Sequence, residues 1–344
     1  MKSSFLRAAA VAFAGLLALN GAASAQSVRI VGAGASFPFP IYSAWFNKFG
    51  QANRGVRIDY QSQGSGAGVR NFIARIVDFA ASDAAMTDEE IAQVKGGVVL
   101  LPMTAGEIVL AYNLPGVAEL KLPREVYPLI FSGEITRWDD PRIVAANPGV
   151  KLPGQQITVA RRSDASGTNF VFTKHLSEIS PAFKEKVGSG ATVQWPNQSN
   201  FVGAPRNDGV AATVMQTPGA IGYVEYGFAK MAKLPMAKLQ NASGAFVGPG
   251  PAAGQAALAS ADFSGPDLRV WVLDPKGADS YPIVTFTWML FFREHGGDAK
   301  IPAALRDFVT WAAKDGQAMA DELGYIPLPE KVAARVLSEV PNIR

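Results

Sequence analysis

The sequence predicts an α/β fold of helices layered on largely parallel sheets. Two patterns carry that reading. Apolar runs of strand length alternate with amphipathic stretches at helical spacing, and Gly- and Ser-rich loops recur between them. Residues 28–31 form a first strand, residues 32–36 a small-residue loop, and residues 37–49 a helix whose apolar face is Ile41, Tyr42, Trp45, Phe46 and Phe49. Pro38 and Pro40 sit where a first helical turn tolerates them. The same unit repeats as strand 56–61, loop 64–66 and helix 69–76, and a third strand at 77–81 ends on Ser82 and Asp83. Thr87 and Glu90 have the spacing of a capping box for a helix through Val94. The segment 102–107 punctuates the pattern, and a new strand begins at 108–113. A later unit comprises strand 157–160, loop 161–167 and helix 168–176. Asn207, Asp208 and Gly209 precede a helix through Gln216, and residues 221–226 are another strand. Residues 242–265 are rich in Gly, Ala, Ser and Pro and read as a long surface loop. After Pro282 come a buried apolar strand and helices at 303–314, 317–323 and 331–340.

The chain has 344 residues, enough for about two domains and a sizeable core. At 48% hydrophobic and 18% charged residues it is neither disordered nor fibrous. The formal charge is +3. Residues 1–25 read as a secretory signal, with Lys2 and Arg7 at its positive end, an apolar stretch at 8–19 and a small-residue cleavage site at Ala23, Ser24 and Ala25. Its apolar stretch falls short of the roughly 20 residues a membrane span needs. Removing it starts the mature chain at Gln26 and leaves 30 basic against 29 acidic residues, a balance that gives no footprint for nucleic acid. The chain has no cysteine, which excludes disulfides, thiolate metal sites, cysteine nucleophiles and the lipid anchor of a lipoprotein. The expected product is exported, soluble and periplasmic.

Three loops place a hydroxyl at a helix start: Ser36, Ser65, and Ser166 with Thr168. Helix starts expose N–H groups and carry roughly half a positive charge, so they suit anions. In a parallel α/β sheet such loops gather at the carboxyl ends of the strands. Each serine singly reads as an N-cap; three together with an arginine point to an anion site. The loop 161–168 carries Arg161 and Arg162, and a guanidinium matches two oxygens of a tetrahedral anion, with Asp164 placed to hold it. Arg162 is nearer the hydroxyls, although alternation leaves Arg161 open. Asp83 is unusual in an anion site. It suits a ligand that carries a proton, as phosphate does and sulfate does not, so it would attract one and repel the other. Its alternative use is to cap the turn before Asp88.

Other chemistries fit poorly. Phe37 stands where a dinucleotide fingerprint needs its third glycine, and no nucleotide P-loop is present. With His175 and His295 alone and no GxSxG elbow, a serine hydrolase lacks its base and a zinc site its ligands. His175 reads as a packed or solvent-facing helix residue. Trp138, Trp195, Trp288 and Trp311 read as core or cleft wall.

Six segments in order, GAGASFPFPIY from Gly32, YQSQGSGAGV from Tyr60, VDFAASDA from Val77, ARRSDASGTNFVFT from Ala160, NDGVAA from Asn207 and PGAIGYVEY from Pro218, carry a resemblance over about residues 31–328. The chain resembles the periplasmic phosphate-binding proteins of the bacterial high-affinity phosphate ABC importer, the PstS family. That resemblance implies a two-lobed, type II venus-flytrap α/β fold, each lobe a mixed sheet flanked by helices. The lobes would be residues 26–103 with 283–344, and residues 104–282, crossing at Pro102 and Pro282. It implies phosphate held by Ser36, Phe37, Ser65, Asp83, Arg162, Asp164, Ser166, Gly167 and Thr168, without cofactor or metal. Ser36 replaces the family's threonine, and Gly66 replaces the second serine of its Gly-Ser-Ser loop. The implied partners of the monomer are phosphate and membrane permease subunits. The alternatives are a receptor for sulfate or molybdate, or a secreted phosphoester hydrolase using Ser36 or Ser166.

Overall fold

A computed structural model describes residues 27–265 and 267–344; the signal reading at 1–25 and the mature start at Gln26 lie outside them. The strands are β1 Val28–Gly34, β2 Val56–Ser62, β3 Phe79–Ser82, β4 Val98–Tyr112, β5 Lys121–Leu122, β6 Thr158–Arg162, β7 Phe201–Ala204, β8 Ala220–Glu225, β9 Lys238–Gln240, β10 Phe246–Val247 and β11 Val284–Phe292. The helices begin with α1 Phe39–Ala52 and α2 Ser65–Ile73, with short α3 Asp88–Ala92, α4 Tyr127–Phe131 and α5 Pro141–Ala146 following them. Then come α6 Gly167–Ile179, α7 Pro181–Lys186, α8 Arg206–Gln216, α9 Tyr226–Met231, α10 Pro251–Leu258, α11 Lys300–Ala312, α12 Ala320–Leu323 and α13 Glu330–Glu339. No helix among the described residues is long and apolar enough to cross a membrane.

Eight strands hydrogen-bond in the order β2-β1-β3-β11-β4-β8-β6-β7, and β10-β9-β5 form a small separate sheet. The expected α/β, two-lobed architecture holds, but within the eight-stranded sheet parallel pairing is confined to the two wings. β1 runs parallel to β2 and β3, and β6 to β7 and β8. At the centre β11 is antiparallel to both β3 and β4, and β4 to β8. β4 joins the wings: residues 98–107 pair with β11, and Ile108 to Tyr112 pair with β8. Every residue of β11 is buried, as its unbroken apolar run implies.

Several expected boundaries are corrected. The segment 102–107 is the middle of β4, not a break. The register with β11 shifts between Thr287 and Trp288, which face Thr104 and Pro102, so Pro102 sits at a bulge where its missing N–H breaks no ladder. The expected loop 242–265 contains β10 and α10, the latter opening on Pro251 at its first turn. Ser65 opens α2, which ends at Ile73 instead of continuing to Ile76. Asn207 to Gly209 lie inside the first turn of α8. Residues 315–319 are a 3-10 turn ahead of α12. The Thr87–Glu90 capping box is present in both directions.

Candidate functional site

The strand ends that meet at the middle of the sheet carry the hydroxyl loops. β1 delivers Ser36 and Phe37, β3 delivers Asp83, and β6 delivers Arg162 and the loop into α6. Gly34 makes the first turn possible: at φ 144° its chain passes so close to β3 that a Cβ would lie 2.1 Å from the Ala81 carbonyl. Two tyrosines then orient this turn, Tyr60 donating to the Ala35 carbonyl at 2.8 Å and Tyr325 to the Phe37 carbonyl at 2.6 Å. Phe37 is buried, with its ring edge-on to Tyr325.

The N-cap explanation holds for one of the three serines. Ser166 caps α6, accepting from the Asn169 N–H at 3.0 Å. Helix α1 is preceded by Pro38 and α2 by Gly64, and neither has a side-chain cap, so Ser36 and Ser65 serve something else. Asp83 does not cap the turn before Asp88 either, since Thr87 does so.

Ser36, Ser65, Asp83, Arg162, Ser166, Gly167 and Thr168 converge, and all of these that carry polar side chains are buried. Asp83 accepts from Thr287 at 2.8 Å through Oδ1, and from Thr168 at 3.4 Å and Ser65 at 3.5 Å through Oδ2. Ser36 Oγ accepts from the Asn207 N–H at 3.1 Å and from its Nδ2 at 2.9 Å. The same Nδ2 donates to Thr168 Oγ1 at 3.2 Å, and Asn207 Oδ1 accepts from the Glu225 N–H. Residues from both wings are therefore in contact. The Gly66 N–H donates to the Ala165 carbonyl at 3.1 Å, and Gly167 lies against Ser65, Asp83 and Ala84.

The arginine ambiguity resolves by face. Arg162 is buried and grips Asp164 with two parallel bonds, Nε at 2.8 Å and Nη2 at 2.6 Å. Its Nη1 is buried with no hydrogen-bond partner among the described residues. Arg161 lies on the other face of β6, against Gly203 of β7. Asp164 is one-fifth exposed, and its Oδ1 also accepts from the Arg206 N–H. It sits behind the arginine, not among the hydroxyls.

Burial pushes the Asp83 carboxyl up from its ordinary 3.8 to about 6, against the downward pull of Thr287, the Arg162 charge, Thr168 and Ser65. Asp164 is also pushed up by burial, but its bonds to Arg162 and Arg206 outweigh this and leave it below its ordinary value. The arrangement sets buried hydroxyls around one buried carboxylate, with one guanidinium held in a fixed plane. Chemically this suits a small tetrahedral anion that brings a proton of its own.

Two residues escaped the sequence reading. Asn207 lies in a segment that reads only as the approach to a helix, and its bridging role depends on Ser36 and Thr168, 171 and 39 positions away. Thr287 is one of two hydroxyls in an otherwise apolar strand, and nothing in the strand says which of them meets Asp83. The histidines contact no site serine: His175 bonds Tyr127 at 2.8 Å, and His295 bonds Asp78 at 3.1 Å. Trp138 and Trp288 are core residues, and Trp195 and Trp311 pack partly buried against the core. Among the described residues, no cluster of three or more His, Cys, Asp or Glu side chains could hold a metal ion.

The PBP superfamily domain matches residues 20–315. The phosphate-binding protein PstS of Pasteurella multocida is 40% identical over 321 residues, covering 92% of this chain and 91% of that protein. The phosphate-binding protein PstS of Xylella fastidiosa is 38% identical over 314 residues, covering 90% and 84%. Among solved structures, a phosphate-binding protein from Stenotrophomonas maltophilia superposes with a TM-score of 0.74 at 23% identity, covering 91% of this chain and 94% of that one. The periplasmic phosphate-binding protein PfluDING, bound with phosphate, gives 0.74 at 22% identity, with the same coverage. At those identities the likeness is one of fold.

Proposed function

The chain belongs to the PstS family of phosphate-binding proteins, and from that premise we propose that it is a periplasmic receptor which closes two lobes on inorganic phosphate and delivers it to a membrane ABC importer. It acts without catalysis, cofactor or metal, and its partners are the importer's permease subunits. The lobes are residues 26–103 with 283–344, and residues 104–282. That division is supported by β4, which changes partner from β11 to β8 within a few residues of Thr104. Ser36, Phe37, Ser65 and Asp83 face the anion from one lobe, and Arg162, Ser166, Gly167 and Thr168 from the other. Asp164 holds Arg162 in its plane.

One observation carries the choice of phosphate: a buried carboxylate, Asp83, stands among hydroxyl donors at the centre of an anion site. A carboxylate repels a fully deprotonated sulfate or molybdate and accepts a hydrogen bond from a protonated phosphate. Hydrolase chemistry lacks a base, because both histidines are engaged elsewhere.

Phosphate has five heavy atoms, and at about 1.5 kcal/mol each the ceiling is near 7.5 kcal/mol, or roughly micromolar binding. A dozen charge-assisted bonds would exceed that, so desolvation and lobe closure consume the remainder. Isothermal titration tests the reading. The native protein should bind phosphate at about micromolar strength and sulfate at least ~100-fold more weakly, since an unpaired buried charge costs a few kcal/mol. Asp83→Asn should narrow that gap. Equal affinity for the two anions in the native protein overturns the phosphate assignment.

A further inference from the structure

The strand β11 carries two threonines in an otherwise apolar run, and both are buried. A buried hydroxyl in such a strand needs a partner, and its own backbone is the usual one. Thr285 takes that course, donating to the Phe286 carbonyl at 2.8 Å. Thr287 does not. The antiparallel register sets Trp288 opposite Ser82, so Thr287 stands across from Asp83, one step beyond the end of β3. The register shift between Thr287 and Trp288 lies in the same place; its extra residue, Met103, belongs to the facing strand β4, so Thr287 keeps the regular alternation that turns it toward Asp83.

The bonds at Asp83 are unequal. Oδ1 accepts from Thr287 at 2.8 Å, a full-strength bond to a charged acceptor. Oδ2 has only the contacts with Thr168 and Ser65 at 3.4 and 3.5 Å, beyond the normal range for hydroxyl donors. Those two hydroxyls also serve as acceptors, Thr168 from Asn207 and Ser65 from the Asp83 N–H. A carboxylate turns about its last torsion with little resistance, so one strong donor fixes which oxygen faces inward.

We propose that Thr287 is a positioning residue: its hydroxyl occupies Oδ1 of Asp83, turns Oδ2 toward the anion as the acceptor for the ligand's proton, and thereby sets the preference for protonated over fully deprotonated tetrahedral anions. This rests on the phosphate reading above. The other groups facing Asp83 do not substitute for Thr287. Arg162 acts on it from β6 by charge, and the hydroxyls of Tyr42 from α1, Tyr60 from β2 and Tyr325 after α12 are neutral phenols whose ionisation burial suppresses. Tyr42 also interacts with the Thr287 side chain and feels the Asp83 charge. Without the Thr287 hydroxyl the carboxyl takes a proton more readily, and once protonated it becomes a donor that accepts sulfate.

The test uses Thr287→Val, which keeps the shape and removes the hydroxyl, and Thr287→Ser, which restores it. Phosphate and sulfate are titrated calorimetrically from pH 5 to 8.5. In parallel, the Asp83 carboxyl is titrated by carbon NMR in the ligand-free protein. We expect Thr287→Val to reduce the phosphate-to-sulfate affinity ratio ~10-fold or more, the scale of one bond to a charged group. Its Asp83 titration should move up by about one pH unit, the same free energy read as a protonation. Thr287→Ser should recover both. A Thr287→Val protein that loses affinity for the two anions equally, with the Asp83 titration unmoved, overturns the proposal and leaves Thr287 a packing residue. If the native protein binds neither anion, the phosphate reading falls, while the carboxyl titration still decides what Thr287 does to Asp83.

Discussion

Asp83 is held as an anion in surroundings that oppose it, and the fold bears that opposition. Its folded value of about 6 lies above the ordinary 3.8, so between the two the native chain binds more protons than the unfolded one. Stability from this group is complete below the ordinary value and is lost as pH climbs through about 6. Asp83→Asn is therefore expected to be more stable than the native protein above pH 7, by about 2 to 3 kcal/mol, with the gap closed by pH 4. Thermal melts at the two pH values check this, and an unchanged gap across them contradicts it. The residues that converge around Asp83 were legible because their chemistry is written locally: Arg162 and Asp164 two positions apart, Ser166 and Thr168 at a helix start, Asp83 ending a strand. Asn207 and Thr287 were not, because each matters only through a residue brought to it by the fold, 171 and 204 positions away.

Helix α6 combines a start set against Asp83 with a buried histidine two turns on. His175 is fully enclosed, stacked against Tyr127 and bonded to its hydroxyl, and burial lowers it from 6.5 to about 4. Charging it requires opening its surroundings. The stability it contributes is complete above pH 6.5 and is lost as pH falls toward 4, an effect of about 3 kcal/mol. His175→Gln should flatten the acid limb of the stability curve over that interval, as measured by urea unfolding at a series of pH values; a limb as steep as the native one would count against it. Among the elements, β11 and the capping box of α3 were readable because run length and residue spacing specify them directly. The continuity of β4 was hidden by Pro102, whose breaking tendency is accommodated by the extra residue Met103 where β4 pairs with a strand nearly 190 residues away. Helix α10 was hidden by its composition, since Gly254 and its alanines resemble a loop until packing is considered: a Cβ on Gly254 would lie 2.2 Å from Ile326.

The whole molecule is two wings sharing one strand, and their approach is limited by the smallest residue at the contact. A Cβ on Gly167 would stand 2.6 Å from Ser65 Oγ and 2.8 Å from both the Ala84 nitrogen and the Asp83 Cβ. Two of those neighbours belong to the backbone or sit next to it, so they cannot swing aside. Gly167→Ala is expected to hold the wings apart and weaken phosphate binding ~10-fold or more, in line with the cost of overpacking. Small-angle scattering at saturating phosphate should then give a larger radius of gyration than the native protein shows; identical scattering and affinity would remove the claim. The bond from the Gly66 N–H to the Ala165 carbonyl has a different outcome, because it joins main chain to main chain. No side-chain exchange at either position deletes it, apart from proline at 66. Part of the outline that a membrane partner would feel is thus set by peptide against peptide, beyond the reach of the side chains on either side of the seam.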